Sequence, residues 1–282
     1  MPEHVVLLHG FSGTRRAWDG VAGRLDRERY LPLALDLPGH GAEAGARRPI
    51  TFASCVESVL ARAPERFLLC GYSLGGRVAL HVALAAPKRV AGLALVACNP
   101  GIEDERERAA RRASDEELAR ELEAGPFEDF IERWRTQPLF AADPAAVGAL
   151  ARADQRRNRP DALAAVLRGL GAGTMEPVWS RLGELAMPVA VIVGERDSKF
   201  VAIGRRIATV LPRVELSIVA GGHGLPLENP DAVARAIEQL ARLDAEAGPV
   251  GHDDLPAHDR ERVADAGEHA QRRQATGRER PA

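Results

Sequence analysis

The strongest constraint on the fold is an alternation of short, near-continuous apolar runs with amphipathic stretches. The runs are Val5 to Leu8, Leu31 to Leu35, Phe67 to Cys70, Leu93 to Ala97, Val189 to Val193 and Val214 to Val219. They are too short for buried helices and too continuously apolar for strands wetted on one face, so they predict parallel strands covered on both sides. Helical patterns separate them at Trp18 to Leu25, Phe52 to Ala61, Leu74 to Ala85, Ile203 to Leu211 and Ala232 to Leu243. The class that follows is α/β, a mostly parallel sheet with helices on both faces.

One stretch breaks the rhythm. From about Glu103 to Leu185 there is no convincing strand, only charged helical patterns punctuated by Pro126, Pro138, Pro144 and Pro160. The organisation predicted is a core over residues 1–102 and 186–244, with a helical lid at 103–185 inserted between two sheet strands. Ligands of open α/β sheets bind at the strand ends beside such an insertion. After Asp244 large aliphatics almost vanish, which predicts a disordered tail over 245–282 and makes His252, His258 and His269 bystanders rather than metal ligands.

Composition excludes several functions. A net charge of -2 supplies no field that would favour nucleic acid or an anionic membrane. No apolar run reaches membrane-spanning length and the start lacks a signal-peptide pattern, so a soluble, cytoplasmic chain is expected. Cys55, Cys70 and Cys98 are too few and too scattered for a disulfide framework and read as buried hydrophobes. No metal cluster or phosphate-binding glycine loop is present, and no cofactor is expected. The sequence sets no oligomeric state. Arginine outnumbers lysine 36 to 2, a bias that weakens any argument from arginine counts alone.

The chemistry concentrates after the third run, at Gly71-Tyr72-Ser73-Leu74-Gly75, a G-x-S-x-G sequence between a strand and a helix. That context predicts a nucleophile elbow, with the hydroxyl of Ser73 projecting from the sheet edge and the N–H of Leu74 aimed at a developing oxyanion. A second oxyanion donor is expected from the loop after the first strand, His9-Gly10-Phe11, through the backbone N–H of Phe11. Ser73 needs a base, and elimination leaves His223, in Gly221-Gly222-His223-Gly224 after the last strand. The orienting carboxylate should end the strand before it, at Gly194-Glu195-Arg196-Asp197. Asp197 is the choice and Glu195 the fallback, while Asp36 precedes the serine and fits loop architecture better. Arg77 lies four residues after Ser73 on the same helical face, where a cation near a helix N-terminus is unfavourable unless something anionic offsets it.

Together these features resemble the α/β-hydrolase superfamily across about residues 4 to 243. Four segments are narrower: Leu8-His9-Gly10-Phe11-Ser12-Gly13, Gly71 through Arg77, Trp134 through Gln137-Pro138-Leu139-Phe140, and Gly194 through Phe200. They look like the 2-succinyl-6-hydroxy-2,4-cyclohexadiene-1-carboxylate synthase family of menaquinone biosynthesis. The resemblance implies a lyase: the triad serine acts as base, pyruvate is eliminated from an enolpyruvyl ring substrate, and arginines hold the carboxylates of this small anionic metabolite. It places Arg77 and Arg111 on substrate-binding positions, Tyr72 and Trp134 on pocket positions, and a third arginine at Arg156 or Arg157. One departure is Pro226, where the family usually carries a second histidine. A serine hydrolase of the same fold, cleaving an ester, thioester or carbon–carbon bond, is the alternative that the same triad would serve. A non-catalytic receptor on this scaffold is a third reading.

Overall fold

The computed structural model describes residues 2–247, and residues 1–244 form one compact unit. Residues 248–282, most of the expected tail, lie outside the described residues. All six apolar runs are strands: β1 (Glu3–Leu8), β2 (Tyr30–Leu35), β3 (Phe67–Tyr72), β4 (Val90–Val96), β5 (Val189–Gly194) and β6 (Val214–Val219). They form one parallel sheet in the order β2-β1-β3-β4-β5-β6. The order reverses between β1 and β3, so loops leaving their carboxyl ends diverge and open a crevice there. The register aligns Leu8 with Gly71, Tyr72 with Val96, and Gly194 with Val219, which brings the ends of β1, β3, β5 and β6 to one edge.

Ten helices accompany the sheet among the described residues: α1 (Asp19–Ala22), α2 (Phe52–Arg62), α3 (Leu74–Ala85), α4 (Glu105–Ala124), α5 (Phe127–Arg135), α6 (Ala145–Gln155), α7 (Pro160–Leu170), α8 (Ser198–Val210), α9 (Leu225–Glu228) and α10 (Pro230–Ala247). Successive strand residues feed opposite faces. Val6, Leu8, Leu69 and Val191 pack with Val59, Val78 and Ile207 of α2, α3 and α8. Val5, Leu7, Cys70 and Ile192 pack with Val21, Val233 and Ile237 of α1 and α10. The three cysteines sit in these layers, and burial pushes the Cys55 and Cys98 thiols up to about 12, which keeps them unreactive.

Two helices differ from expectation. In place of a helix over 18–25 the chain forms a 3-10 turn at Arg15–Trp18 and a single α turn at α1, because Gly20 and Gly23 weaken the helix interior. Helix α8 begins five residues earlier than the apolar pattern suggests, because the side chain of Asp197 accepts from the Phe200 N–H and caps it.

Between β4 and β5 the chain inserts α4 to α7, and this insertion has a small core of its own. Leu122, Phe130, Ile131, Leu163 and Leu167 pack together there. Helix α4 is otherwise solvated, which is why its pattern in the sequence is mostly charge.

Candidate active site

Ser73 stands at the turn from β3 into α3 with φ 51° and ψ -108°, a conformation that non-glycine residues rarely adopt. The sharpness of that turn depends on its glycines. A Cβ on Gly71 would lie 2.3 Å from the carbonyl oxygen of Gly75, and one on Gly75 would lie 2.1 Å from that of Leu8. Only hydrogen fits at either place, so the G-x-S-x-G spacing is a packing requirement.

The loops after β5 and β6 bring the other two groups to the serine. Ser73 Oγ donates to His223 Nε2 at 3.2 Å, and His223 Nδ1–H donates to Asp197 Oδ2 at 2.7 Å. Asp197 selects this tautomer by accepting from Nδ1, which leaves Nε2 free to take the serine proton. His223 is 1% exposed and enclosed by rings: Phe200 at 4.6 Å, Tyr72 at 5.4 Å and Phe140 at 5.8 Å between centroids. Glu195 is exposed and plays no part in this array. Asp36 instead accepts from the backbone N–H groups of Arg15 and Ala42, tying two loops together.

A cavity of about 510 Å³ opens over the serine. Phe11 and Leu74 line it together with Ser73. Leu74 is the first residue of α3, so its N–H has no partner within the helix, and the Phe11 N–H has no acceptor among the described residues. Both donors suit an oxygen that gains charge beside Ser73.

Arg77, Arg111, Tyr72 and Trp134 line the same cavity. The Arg77 guanidinium donates to the Leu170 carbonyl at 2.7 Å and lies 5.8 Å from the Phe52 ring. Burial, and then the neighbouring charge of Arg111, push its pKa down to about 10, so it stays charged at neutral pH at a cost that an anion in the cavity would offset. Arg111 donates to buried Asp115 at 2.8 Å. Trp134 serves two purposes, as cavity wall and as core of the insertion, with Phe11 at 5.0 Å and Phe130 at 5.7 Å. Burial and the Asp143 carboxylate push the Tyr72 phenol up, so it stays protonated.

Arg156 and Arg157 are not brought to the cavity, which corrects the expectation for a third arginine. Arg156 pairs with Glu128 on the surface, and the Arg157 side chain is 57% exposed, 3.8 Å from Asp154. The end of α6 and the turn after it bury Asp154, Gln155 and Asn158, and Arg156 and Arg157 between them face outward. Sequence reasoning also missed three contributors. Lys199 lines the cavity and forms no ion pair among the described residues, and its signal was rarity, one of only two lysines in an arginine-rich chain. Asp143 lines it too, paired with buried Arg135, whose guanidinium lies 4.4 Å from the Phe140 ring. No periodicity announced that pair.

Elbow, triad and parallel sheet together define a catalytic α/β architecture. Residues 5–236 match the alpha/beta hydrolase family, and the chain belongs to it as an enzyme. Within that family the chain is similar to the 2-succinyl-6-hydroxy-2,4-cyclohexadiene-1-carboxylate synthase of Salmonella paratyphi A, 34% identical over 244 residues that cover 85% of this chain and 94% of the relative. The synthase of Salmonella paratyphi C is 33% identical over the same shares of both chains. Among solved structures, MenH from S. aureus superposes with a TM-score of 0.80 at 28% identity, covering 86% of this chain and 94% of that one. An enol-lactonase from Burkholderia xenovorans LB400, at TM-score 0.73 and 18% identity over 86% and 92% of the two chains, shares the fold. No helix among the described residues is long and apolar enough to cross a membrane, and none of their His, Cys, Asp and Glu side chains cluster as a metal site would require.

Proposed function

We propose that this enzyme is a carbon–oxygen lyase of menaquinone biosynthesis, converting 2-succinyl-5-enolpyruvyl-6-hydroxy-3-cyclohexene-1-carboxylate into 2-succinyl-6-hydroxy-2,4-cyclohexadiene-1-carboxylate and pyruvate. The observation that carries the reading is a base-competent serine facing a cavity whose lining includes the cations Arg77, Arg111 and Lys199, which suit a guest with three carboxylates. The names of the relatives point the same way.

Ser73 passes its proton to His223 Nε2, and the imidazolium is stabilised by Asp197. The serine oxygen then removes the ring proton beside the succinyl carbonyl, and the charge that develops on that carbonyl oxygen meets the N–H groups of Phe11 and Leu74. The electron pair becomes a C2=C3 bond, the existing C3=C4 bond moves to C4=C5, and the C5–O bond breaks to release enolpyruvate, which takes up a proton to become pyruvate. No water attacks. The insertion, acting as a lid, keeps solvent from the carbanion and positions Trp134 over the ring.

The test is pyruvate release from the enolpyruvyl substrate, coupled to lactate dehydrogenase, with simple p-nitrophenyl esters in parallel. Pyruvate release without appreciable ester turnover supports the lyase. Rapid ester turnover with no pyruvate would favour the second reading, a serine hydrolase built on the same triad.

A further inference from the structure

Three buried polar side chains of the insertion lie where α6 ends and turns toward α7, Asp154 and Gln155 in the last turn of α6 and Asn158 just after it, and all three bond to the loop that carries the Phe11 N–H. Asp154 accepts from the Thr14 N–H at 2.7 Å and from the Thr14 hydroxyl. Gln155 Nε2 donates to Ser12 Oγ at 2.9 Å. Asn158 Nδ2 donates to the Ser12 carbonyl at 2.7 Å, while its Oδ1 accepts from the Gly41 N–H at 2.9 Å, so one amide joins the loops after β1 and β2. From the core side, the Ser12 N–H donates to His40 Nε2 at 3.3 Å.

The loop held in this way is a four-residue turn, closed by the Gly13 N–H donating to the Gly10 carbonyl at 3.2 Å. Its third residue is Ser12, with φ 60°. That position ordinarily asks for glycine, and a serine keeps it only when its surroundings impose it. Ser12 in this conformation lets the turn close, and the Gly10 carbonyl that accepts from Gly13 shares its planar peptide with the Phe11 N–H, so closure of the turn sets the direction of that N–H.

We propose that Asn158, assisted by Asp154 and Gln155, is a positioning residue for the oxyanion hole. The insertion thus completes the hole from outside, and displacement of the α6–α7 turn turns the Phe11 N–H away from the reacting oxygen. The proposal rests on the reading that Phe11 supplies that donor. It does not depend on which carbonyl is activated, because elimination and ester hydrolysis both develop an oxyanion beside Ser73.

The experiment compares Asn158→Ala and Asn158→Asp with wild type, on whichever of the two reactions the wild type catalyses, alongside amide hydrogen exchange. Asn158→Asp keeps the acceptor for Gly41 and removes the donor to Ser12. Complete loss of one oxyanion donor lowers kcat by roughly 10² to 10³, so a misdirected one is expected to lower it about 10- to 100-fold. KM should stay within about threefold if the donor acts mainly in the transition state, and the amides of Ser12, Gly13 and Thr14 should exchange faster. Adding Ser12→Gly to Asn158→Asp should recover part of the lost kcat, because glycine adopts φ 60° without the clamp. Arg152→Ala, which cuts an exposed ion pair with Glu132 on the same insertion, should change neither readout. A folded Asn158→Asp enzyme with wild-type kcat would overturn the proposal, and so would a loss of kcat with unaltered exchange at residues 12–14. Absence of pyruvate release by the wild type would instead remove the proposed function, leaving this comparison to be read on ester turnover.

Discussion

Arg77→Met removes one guanidinium from the cavity while keeping most of the side-chain volume. In the structure that group is spread between the Leu170 carbonyl, the Phe52 ring and the open cavity, with Arg111 as a like-charged neighbour. A hydrogen bond to a charged group contributes about 1.5–3 kcal/mol, so losing its contact with a substrate carboxylate should lower kcat/KM by roughly 10- to 150-fold, at about 1.4 kcal/mol per tenfold. Stability should move far less. The lost bond to Leu170 contributes about 1 kcal/mol, and relief from a cation near the start of α3 returns some tenths to about 1 kcal/mol. Arg77→Lys should fall between methionine and wild type, since a lysine restores charge without the paired donors of a guanidinium. The assay is pyruvate release across a range of substrate concentrations, with thermal unfolding measured on the same samples. An Arg77→Met enzyme within threefold of wild-type kcat/KM would refute the assignment of this arginine. A loss of activity matched by loss of the folded state would do so as well.

Three further outcomes follow from the structure. Gly75→Ala sets a Cβ 2.1 Å from the Leu8 carbonyl oxygen, a backbone atom that cannot rotate away, and should cost more than about 4 kcal/mol, read as a collapse in the urea midpoint. Burial pulls the pKa of His9, His40 and His81 below the usual histidine value, His81 to about 4, so these rings fold neutral. Below about pH 6.5 the unfolded chain therefore binds protons that the folded chain refuses, and stability should fall with acidification, by up to about 1.4 kcal/mol per pH unit for each ring. Urea midpoints at pH 7.5 and 5.5 check this, and a flat profile would contradict it. Lys199→Met should raise KM for the enolpyruvyl substrate several-fold, with little change in kcat and a weaker dependence of KM on salt, because an exposed cation at the cavity acts through screened attraction.

The parts of this molecule legible in its sequence are those where one rule dominates. Parallel strands buried on both faces must be continuously apolar, which marks the central β1, β3, β4 and β5, while the edge strands β2 and β6 are half-buried and show as shorter or alternating apolar patterns; Ser73, Asp197 and His223 each follow a strand whose end the sequence places. Side-chain direction in irregular turns obeys no period. Arg156 and Arg157 are cations in the right part of the insertion, yet the turn that carries them spends its buried positions on Asp154, Gln155 and Asn158. Nothing local says which of five consecutive polar residues faces inward; that depends on Ser12 and Thr14, more than 130 positions away in the chain. The Arg135–Asp143 pair was hidden for the same reason, a buried contact between charges that read as surface in a polar segment.

In the proposed reaction Ser73 and His223 act as one base upon a carbon-bound proton. The most direct test is the rate of pyruvate release by Ser73→Ala, His223→Ala and the double variant, each against wild type. Groups that work as a unit are lost together, so each single variant should be slower by several orders of magnitude and the double scarcely slower than either. Pyruvate release by either single variant within about tenfold of the wild-type rate would contradict this, since a unit of this kind leaves no partial base behind.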